Sequence, residues 1–199
     1  ERGKPARHIN KGTVLILHGL MDSKANYLGL GEAIAKRGYD AVLIDHRAHG
    51  RSGGQYVTWG AKEAADVQAV ADRLLEDRIV RPPVHVFGVS MGGATAILYA
   101  ARDPRCRACL AVAPYRDGPE ISRRLNLLLS EADYRAAWER AGELADFDPD
   151  DTNVLAAAKK LDCPLLIVHG RLDTLVPFEH GQALYEAAGD LHGVAETWI

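Results

Sequence analysis

Five short runs of apolar residues punctuate the chain: Thr13-Val14-Leu15-Ile16-Leu17, Ala41-Val42-Leu43-Ile44-Asp45, Val84-His85-Val86-Phe87-Gly88-Val89, Cys109-Leu110-Ala111-Val112-Ala113 and Pro164-Leu165-Leu166-Ile167-Val168-His169. A sixth begins near Val194. Continuous runs of this length, without polar alternation, predict strands buried on both faces of a parallel sheet. The segments between them carry a helical period instead. In 61–77, Ala64, Val67, Val70, Ala71, Leu74 and Leu75 share one face. Segment 26–37 stops at Gly38, and segment 178–188 follows Pro177 and stops at Gly189, both ordinary helix punctuation. Strand–helix alternation of this kind predicts an α/β fold with a doubly wound, mostly parallel sheet.

One stretch breaks the rhythm. Residues 115–163 separate two strands by far more chain than a bare crossover needs. Ile121, Leu125, Leu128 and Leu129 fit one short helix; Tyr134, Ala137, Trp138 and Leu144 fit another; Asp150-Asp151-Thr152 could cap a third. The expected organisation is a core of 1–114 and 164–199, with 115–163 inserted as a small helical cap, or lid, over one edge of the sheet.

The chemistry concentrates in Gly88-Val89-Ser90-Met91-Gly92-Gly93, which follows a predicted strand and opens a helical run from Ala94 to Arg102. That is the setting of a G-x-S-x-G nucleophile elbow, in which a sharp turn lifts the serine hydroxyl off the sheet and small neighbours leave room for the crossing. The plain alternative is a Gly-rich turn with an incidental serine. From these residues onward the chain resembles an α/β-hydrolase. His18-Gly19-Leu20 resembles the oxyanion loop of that superfamily, and Asp45-His46-Arg47-Ala48-His49-Gly50-Arg51-Ser52 the D-x-R-G-H-G-x-S turn of its monoacylglycerol-lipase and serine-aminopeptidase branch. Ala48 replaces the usual Gly, a change expected to be tolerated. His169-Gly170-Arg171-Leu172-Asp173-Thr174-Leu175-Val176-Pro177 resembles the segment that carries the acid.

The resemblance implies a serine hydrolase. Ser90 would be the nucleophile, the backbone N–H groups of Leu20 and Met91 the oxyanion hole, and Asp173 the acid that orients the base. Asp173 could instead be a helix cap before Pro177, and Asp117, past the fourth strand, is the alternative acid. The base should follow the acid in chain order, and only His180 and His192 do so. His180 falls in a predicted helix, which favours a surface position. His192 precedes the last strand; a strand of about five residues holds its ends roughly 16 Å apart, too far for a hydrogen bond to Ser90. The catalytic His is therefore expected beyond Ile199. His18, His46, His49 and His169 read as structural hydrogen-bonding residues near the site, and His85 as a satisfied buried one.

Composition narrows the partners. Lys and Arg total 24 and Asp and Glu 27, a formal net charge of -3, which argues against a nucleic-acid partner. No apolar stretch approaches the length of a membrane span. The absence of H-E-x-x-H argues against a zinc protease, and no cofactor or metal is expected. Cys106-Arg107-Ala108-Cys109 has the C-x-x-C form, but with only Cys163 left to complete a set it reads as buried small hydrophobes. The chain opens on Glu1-Arg2-Gly3-Lys4 with no apolar leader and stops within an apolar segment, so the expectation is a piece of a longer cytoplasmic protein with terminal elements missing. The function expected is cleavage of a small carboxylic ester with an apolar portion, ahead of an amide or thioester, through an acyl-enzyme. A chain without its base would be weakly active or inactive. The other class is a non-catalytic binding protein on the same fold.

Overall fold

The computed structural model describes residues 10–189 and the strand Ala195–Trp198. Six parallel strands form one sheet: β1 (Thr13–Leu17), β2 (Asp40–Ile44), β3 (Val84–Val89), β4 (Cys106–Val112), β5 (Leu165–His169) and β6 (Ala195–Trp198), in the order β2-β1-β3-β4-β5-β6. All the apolar runs are strands. The second begins one residue earlier than expected, and the fourth begins three earlier, at Cys106, where an irregular register hides it from a periodicity argument.

The seven helices of the described residues are α1 (Leu28–Ala35), α2 (Ala61–Glu76), α3 (Met91–Ala100), α4 (Gly118–Leu125), α5 (Glu131–Ala145), α6 (Val154–Ala158) and α7 (Phe178–Ala188). The expected helix 26–37 is shorter, because its first residues form a 3-10 turn at Lys24–Tyr27. Crossovers are right-handed. The step from β1 to β2 runs toward one edge and every later step toward the other, so α1 lies on the face opposite α2, α3 and α7. That asymmetry shows in the strands. Along β3 and β5, residues alternate between fully and partly buried, although the sequence is apolar throughout. The expected burial on both faces holds fully for one face, and α1 is the only long helix on the other among the described residues.

α3 lies in the centre of the covered face. Gly92, Gly93, Ala94, Ala96 and Ala100 are buried along it, and these small side chains let its axis approach the sheet closely. Its burial joins Leu15, Leu17, Val84, Val86, Ala111, Leu165 and Ile167 into one core. Burial of apolar surface at about 25 cal/mol per Å² makes that contact stabilising.

The insertion differs from its expected form. α4 is capped by Asp117, whose Oδ1 accepts from the Glu120 N–H at 2.9 Å. It ends at Leu125, so Leu128 and Leu129 do not continue it, and Leu128 is entirely exposed. In α5, Tyr134 and Trp138 are buried while Leu144 is half-exposed. Asp150–Thr152 lie in a 3-10 turn, and the cap of α6 is Asn153 instead, accepting from the Ala156 N–H at 2.8 Å. Val154, Ala157 and Ala158 are buried in the common core, so α6 packs with α3 and α7.

Candidate active site

The chain reverses its direction of progress across the sheet between β1 and β3. In open α/β sheets the crevice at the carboxyl ends of such strands is where ligands bind. Ser90 stands there, at the end of β3. It has φ +53° and ψ −117°, a conformation costly for a residue with a Cβ. Two bonds hold it: its N–H donates to Val112 O at 2.8 Å, and its carbonyl accepts from the Ala94 N–H at 3.0 Å. The flanking glycines are steric requirements. A Cβ on Gly92 would collide with the carbonyl oxygens of Leu17 and His18, and one on Gly88 with the backbone of Gly92. The predicted sharp strand-to-helix turn is therefore present, with Met91 as the first residue of α3, where N–H groups lack intrahelical acceptors.

The loop after β1 lies against the elbow: a Cβ built on Gly19 would stand 3.5 Å from Ser90 Cβ. Two histidines of the 45–53 turn fix this loop. The His46 N–H donates to His18 Nε2 at 3.0 Å, so His18 carries its proton on Nδ1 and donates it to Gly19 O at 2.7 Å. The Met21 N–H donates to His49 Nε2 at 3.1 Å, so His49 in turn donates from Nδ1 to Arg47 O at 2.9 Å. Leu20 is thus flanked on both sides by residues that imidazoles hold. Burial lowers the pKa of His18 and takes that of His46 down to about 3, with the neighbouring histidines adding to the effect. His18 and His49 hold these loops through their rings, as expected; His46 does so through its main-chain N–H, and its ring Nε2 is buried without a partner.

Asp45 anchors the turn itself. Its carboxylate accepts from the N–H groups of Lys24 and Arg51 at 2.9 and 3.1 Å, and the Lys24 ammonium lies 3.0 Å away. Burial would raise its pKa, but these donors outweigh burial and hold it at about 2. Arg47 pairs with Asp66 through two bonds of 2.7 Å. Ala48 takes φ +58°, which explains why glycine suits this position and why alanine is accommodated only at some cost.

Asp173 follows β5, two strands from Ser90, or about 10 Å across the sheet. Its Oδ1 accepts from the N–H groups of Leu175 and Val176, both at 2.9 Å. Oδ2 lies 4.0 Å from His169 Nε2, which itself donates to Val176 O at 2.9 Å. So Asp173 caps its own loop with one oxygen, whereas the helix cap is Pro177. Asp117 caps α4.

His180 corrects the expectation of a surface residue: it is buried, and Nδ1 accepts from the Arg116 N–H at 3.2 Å. It thereby ties α7 to the loop after β4. Burial lowers its pKa, partly offset by Glu120. No local pattern signalled this contact, which joins residues 64 positions apart. His85 is half-buried against Tyr39 rather than fully enclosed. His192 and the chain beyond Trp198 lie outside the described residues.

Among the described residues, no cluster of His, Cys, Asp and Glu is arranged to hold a metal ion, and no helix is long and apolar enough to cross a membrane.

The strained serine turn, the parallel sheet and the carboxyl-end loops define an α/β-hydrolase. Residues 8–140, two thirds of the chain, match the family described as serine aminopeptidase, S33, and the chain belongs to that family. It is 29% identical over 192 residues to the uncharacterized protein YqkD of Bacillus subtilis (strain 168), covering 91% of this chain and 61% of YqkD. It therefore spans less than two thirds of that relative. It is 24% identical to a monoacylglycerol lipase of Mycolicibacterium smegmatis, over 92% of this chain and 78% of that protein. Among solved structures it is similar to the Pyrococcus furiosus esterase Pf2001, with a TM-score of 0.74 and 27% identity, covering 95% of this chain and 73% of the esterase.

Proposed function

We propose that the protein is a serine hydrolase that cleaves a carboxylic ester through an acyl-enzyme on Ser90. The observation that carries this reading is the elbow: a non-glycine residue at φ +53° between β3 and α3, at the switch point of the sheet. In this mechanism Ser90 Oγ attacks the ester carbonyl as its proton passes to an imidazole. The oxygen that becomes negative meets the N–H groups of Met91 and Leu20. The amino end of α3 adds its partial positive charge. Each such donor lowers the barrier by about 3 kcal/mol. The alcohol leaves with the proton, and water then releases the acid by the same route in reverse.

Asp173 is the acid. With Oδ1 occupied by its own loop, Oδ2 is left to orient the base and to stabilise its cation. The base is a histidine from the loop after β6, beyond Ile199. β6 is the neighbour of β5, with Trp198 level with His169, so chain continuing from that end emerges beside Asp173.

α4 and α5 serve as the lid. The Arg124 guanidinium donates to Thr174 O at 3.0 Å, which ties the segment carrying the exposed Leu127 and Leu128 to the Asp173 loop, where Leu172 and Leu175 are exposed. This apolar rim suits a substrate with a hydrophobic portion, and no nucleic acid or cofactor takes part.

The test is labelling of the full-length protein with a fluorophosphonate probe, together with hydrolysis of short p-nitrophenyl esters. Ser90→Ala should abolish both. Retention of the parent rate by that variant removes the nucleophile assignment. Absence of labelling in the folded parent favours a binding protein on this fold.

A further inference from the structure

All three cysteines of the chain gather at the amino end of the sheet, opposite Ser90. Cys106 opens β4, Cys109 lies within it, and Cys163 precedes β5; all are free thiols and buried. Strict alternation would send Cys106 and Cys109 to opposite faces. It does not, because the β3–β4 ladder shifts: Val84 pairs with Cys106 but Val86 with Cys109, so β4 spends an extra residue there. Such a bulge re-aims side chains. Both thiols turn inward and Arg107 between them is exposed.

On the other side, Cys109 pairs with Leu165 and its N–H donates to Pro164 O at 2.9 Å. This draws Cys163 alongside the first residues of β4, where its thiol lies next to that of Cys106; the Cys106 thiol itself donates to Ala108 O at 3.5 Å. Neighbouring strands are about 4.8 Å apart, within the separation that a disulfide bridges.

The two thiols are not equivalent. Interaction with the Cys106 thiol lowers the pKa of Cys163 against its burial, and Arg107 assists. The same interaction, with burial, raises that of Cys106. Burial alone dominates the rise at Cys109. Cys106 and Cys163 also lie at the rim, flanked by the exposed Arg105, Arg107, Asp162 and Pro164.

We propose that Cys106 and Cys163 are a reversible disulfide pair, a modification site independent of the ester-hydrolase reading. The oxidant is a low-molecular-weight disulfide such as oxidised glutathione. Cys163 thiolate attacks one of its sulfurs, forming a mixed disulfide and expelling one thiolate. Cys106, giving up its proton to solvent, then attacks Cys163 Sγ and expels the second. The protein loses two protons and two electrons, and the reagent is reduced to two thiols. The bond closes a loop around the 56 residues that separate the pair, which include nearly all of the insertion. Its effect is on the unfolded chain.

The experiment exposes the folded full-length protein to graded ratios of oxidised to reduced glutathione, quenches it with an alkylating agent and measures the intact mass and the cross-linked peptides. The expected product lacks two hydrogens, carries no glutathione and joins the peptides of Cys106 and Cys163. Its melting midpoint should rise by about 5–10 °C. Cys109→Ala should cross-link like the parent, and Cys106→Ser should stop at a glutathione adduct on Cys163. A cross-link through Cys109, an adduct on Cys163 that the parent does not resolve, or thiols that react only after denaturation would each overturn the pairing.

Discussion

The loops at the carboxyl ends of the sheet are built in two ways. On the β1–β2 side, residues 18–21 and 45–53 are tied by hydrogen bonds of His18, His46, His49 and Asp45 into a block anchored on the buried His18, Asp45 and His46, with Met21 exposed at its surface. On the β4–β5 side, Leu127, Leu128, Leu172 and Leu175 are exposed, and the exposed Arg124–Thr174 bond links the segments that carry them. The contrast fits the proposed division of labour. Oxyanion donors act only when they are already in place as charge develops, so their loop is braced by groups whose burial the fold can sustain. A surface that admits an apolar substrate must stay uncommitted, and is left with side chains that contribute little to folding.

Substitutions on the two sides should therefore differ sharply. The largest effect belongs to the elbow that both sides share. Gly92→Ala drives a methyl into two backbone carbonyls that cannot yield, and should destabilise the protein by about 3 kcal/mol or more, read as a fall in the urea midpoint. On the braced side, Asp45→Ala leaves two partly buried N–H groups and the Lys24 ammonium without their acceptor. We expect a loss of about 2 kcal/mol; an unchanged midpoint would show that the turn is not braced as described.

The same side should respond to acid. His46 titrates near 3 when folded and near 6.5 when unfolded, so below pH 6.5 the unfolded state binds the extra proton. Stability should then fall from pH 6.5 toward 3, at about 1 kcal/mol per pH unit. Asp45, with its pKa depressed to about 2, adds a loss below the unfolded carboxylate value near pH 4. His46→Asn should flatten the upper limb of a pH series of melts and leave the lower one.

Ala48→Gly should act in the opposite direction. It relieves a left-handed alanine but adds freedom to the unfolded chain, for a net gain of about 0.5 kcal/mol in the same melts. The smallest stability effect belongs to the open side. Leu128→Ser should move the midpoint by less than about 0.5 kcal/mol. If the proposed ester hydrolysis holds, it should raise KM of the full-length protein for long-chain esters more than for short ones, and an equal effect on both would remove the rim from substrate binding.

Much of this architecture was legible from local pattern. The five apolar runs became adjacent parallel strands because a strand needs only a few consecutive β-formers to be recognised. The helix at 178–188 was read to the residue because Pro177 and Gly189 punctuate it. Gly88, Ser90, Gly92 and Gly93 announced the elbow because its steric demands fall within six residues. The leucines after α4 misled, since an apolar spacing predicts a helix only where a surface exists to bury it, and none meets Leu128.

The sequence by itself determined which segments are strands and where the chain must turn sharply, because backbone sterics and short-range periodicity act over a few residues. Tertiary structure alone decided the rest. It buried His180 against Arg116, chose Nδ1 as the protonated nitrogen of His18 and His49, and brought Cys106 beside Cys163 through a one-residue irregularity in β4. Each depends on groups 28 or more positions apart, where strand order and register, rather than neighbouring residues, determine which atoms meet.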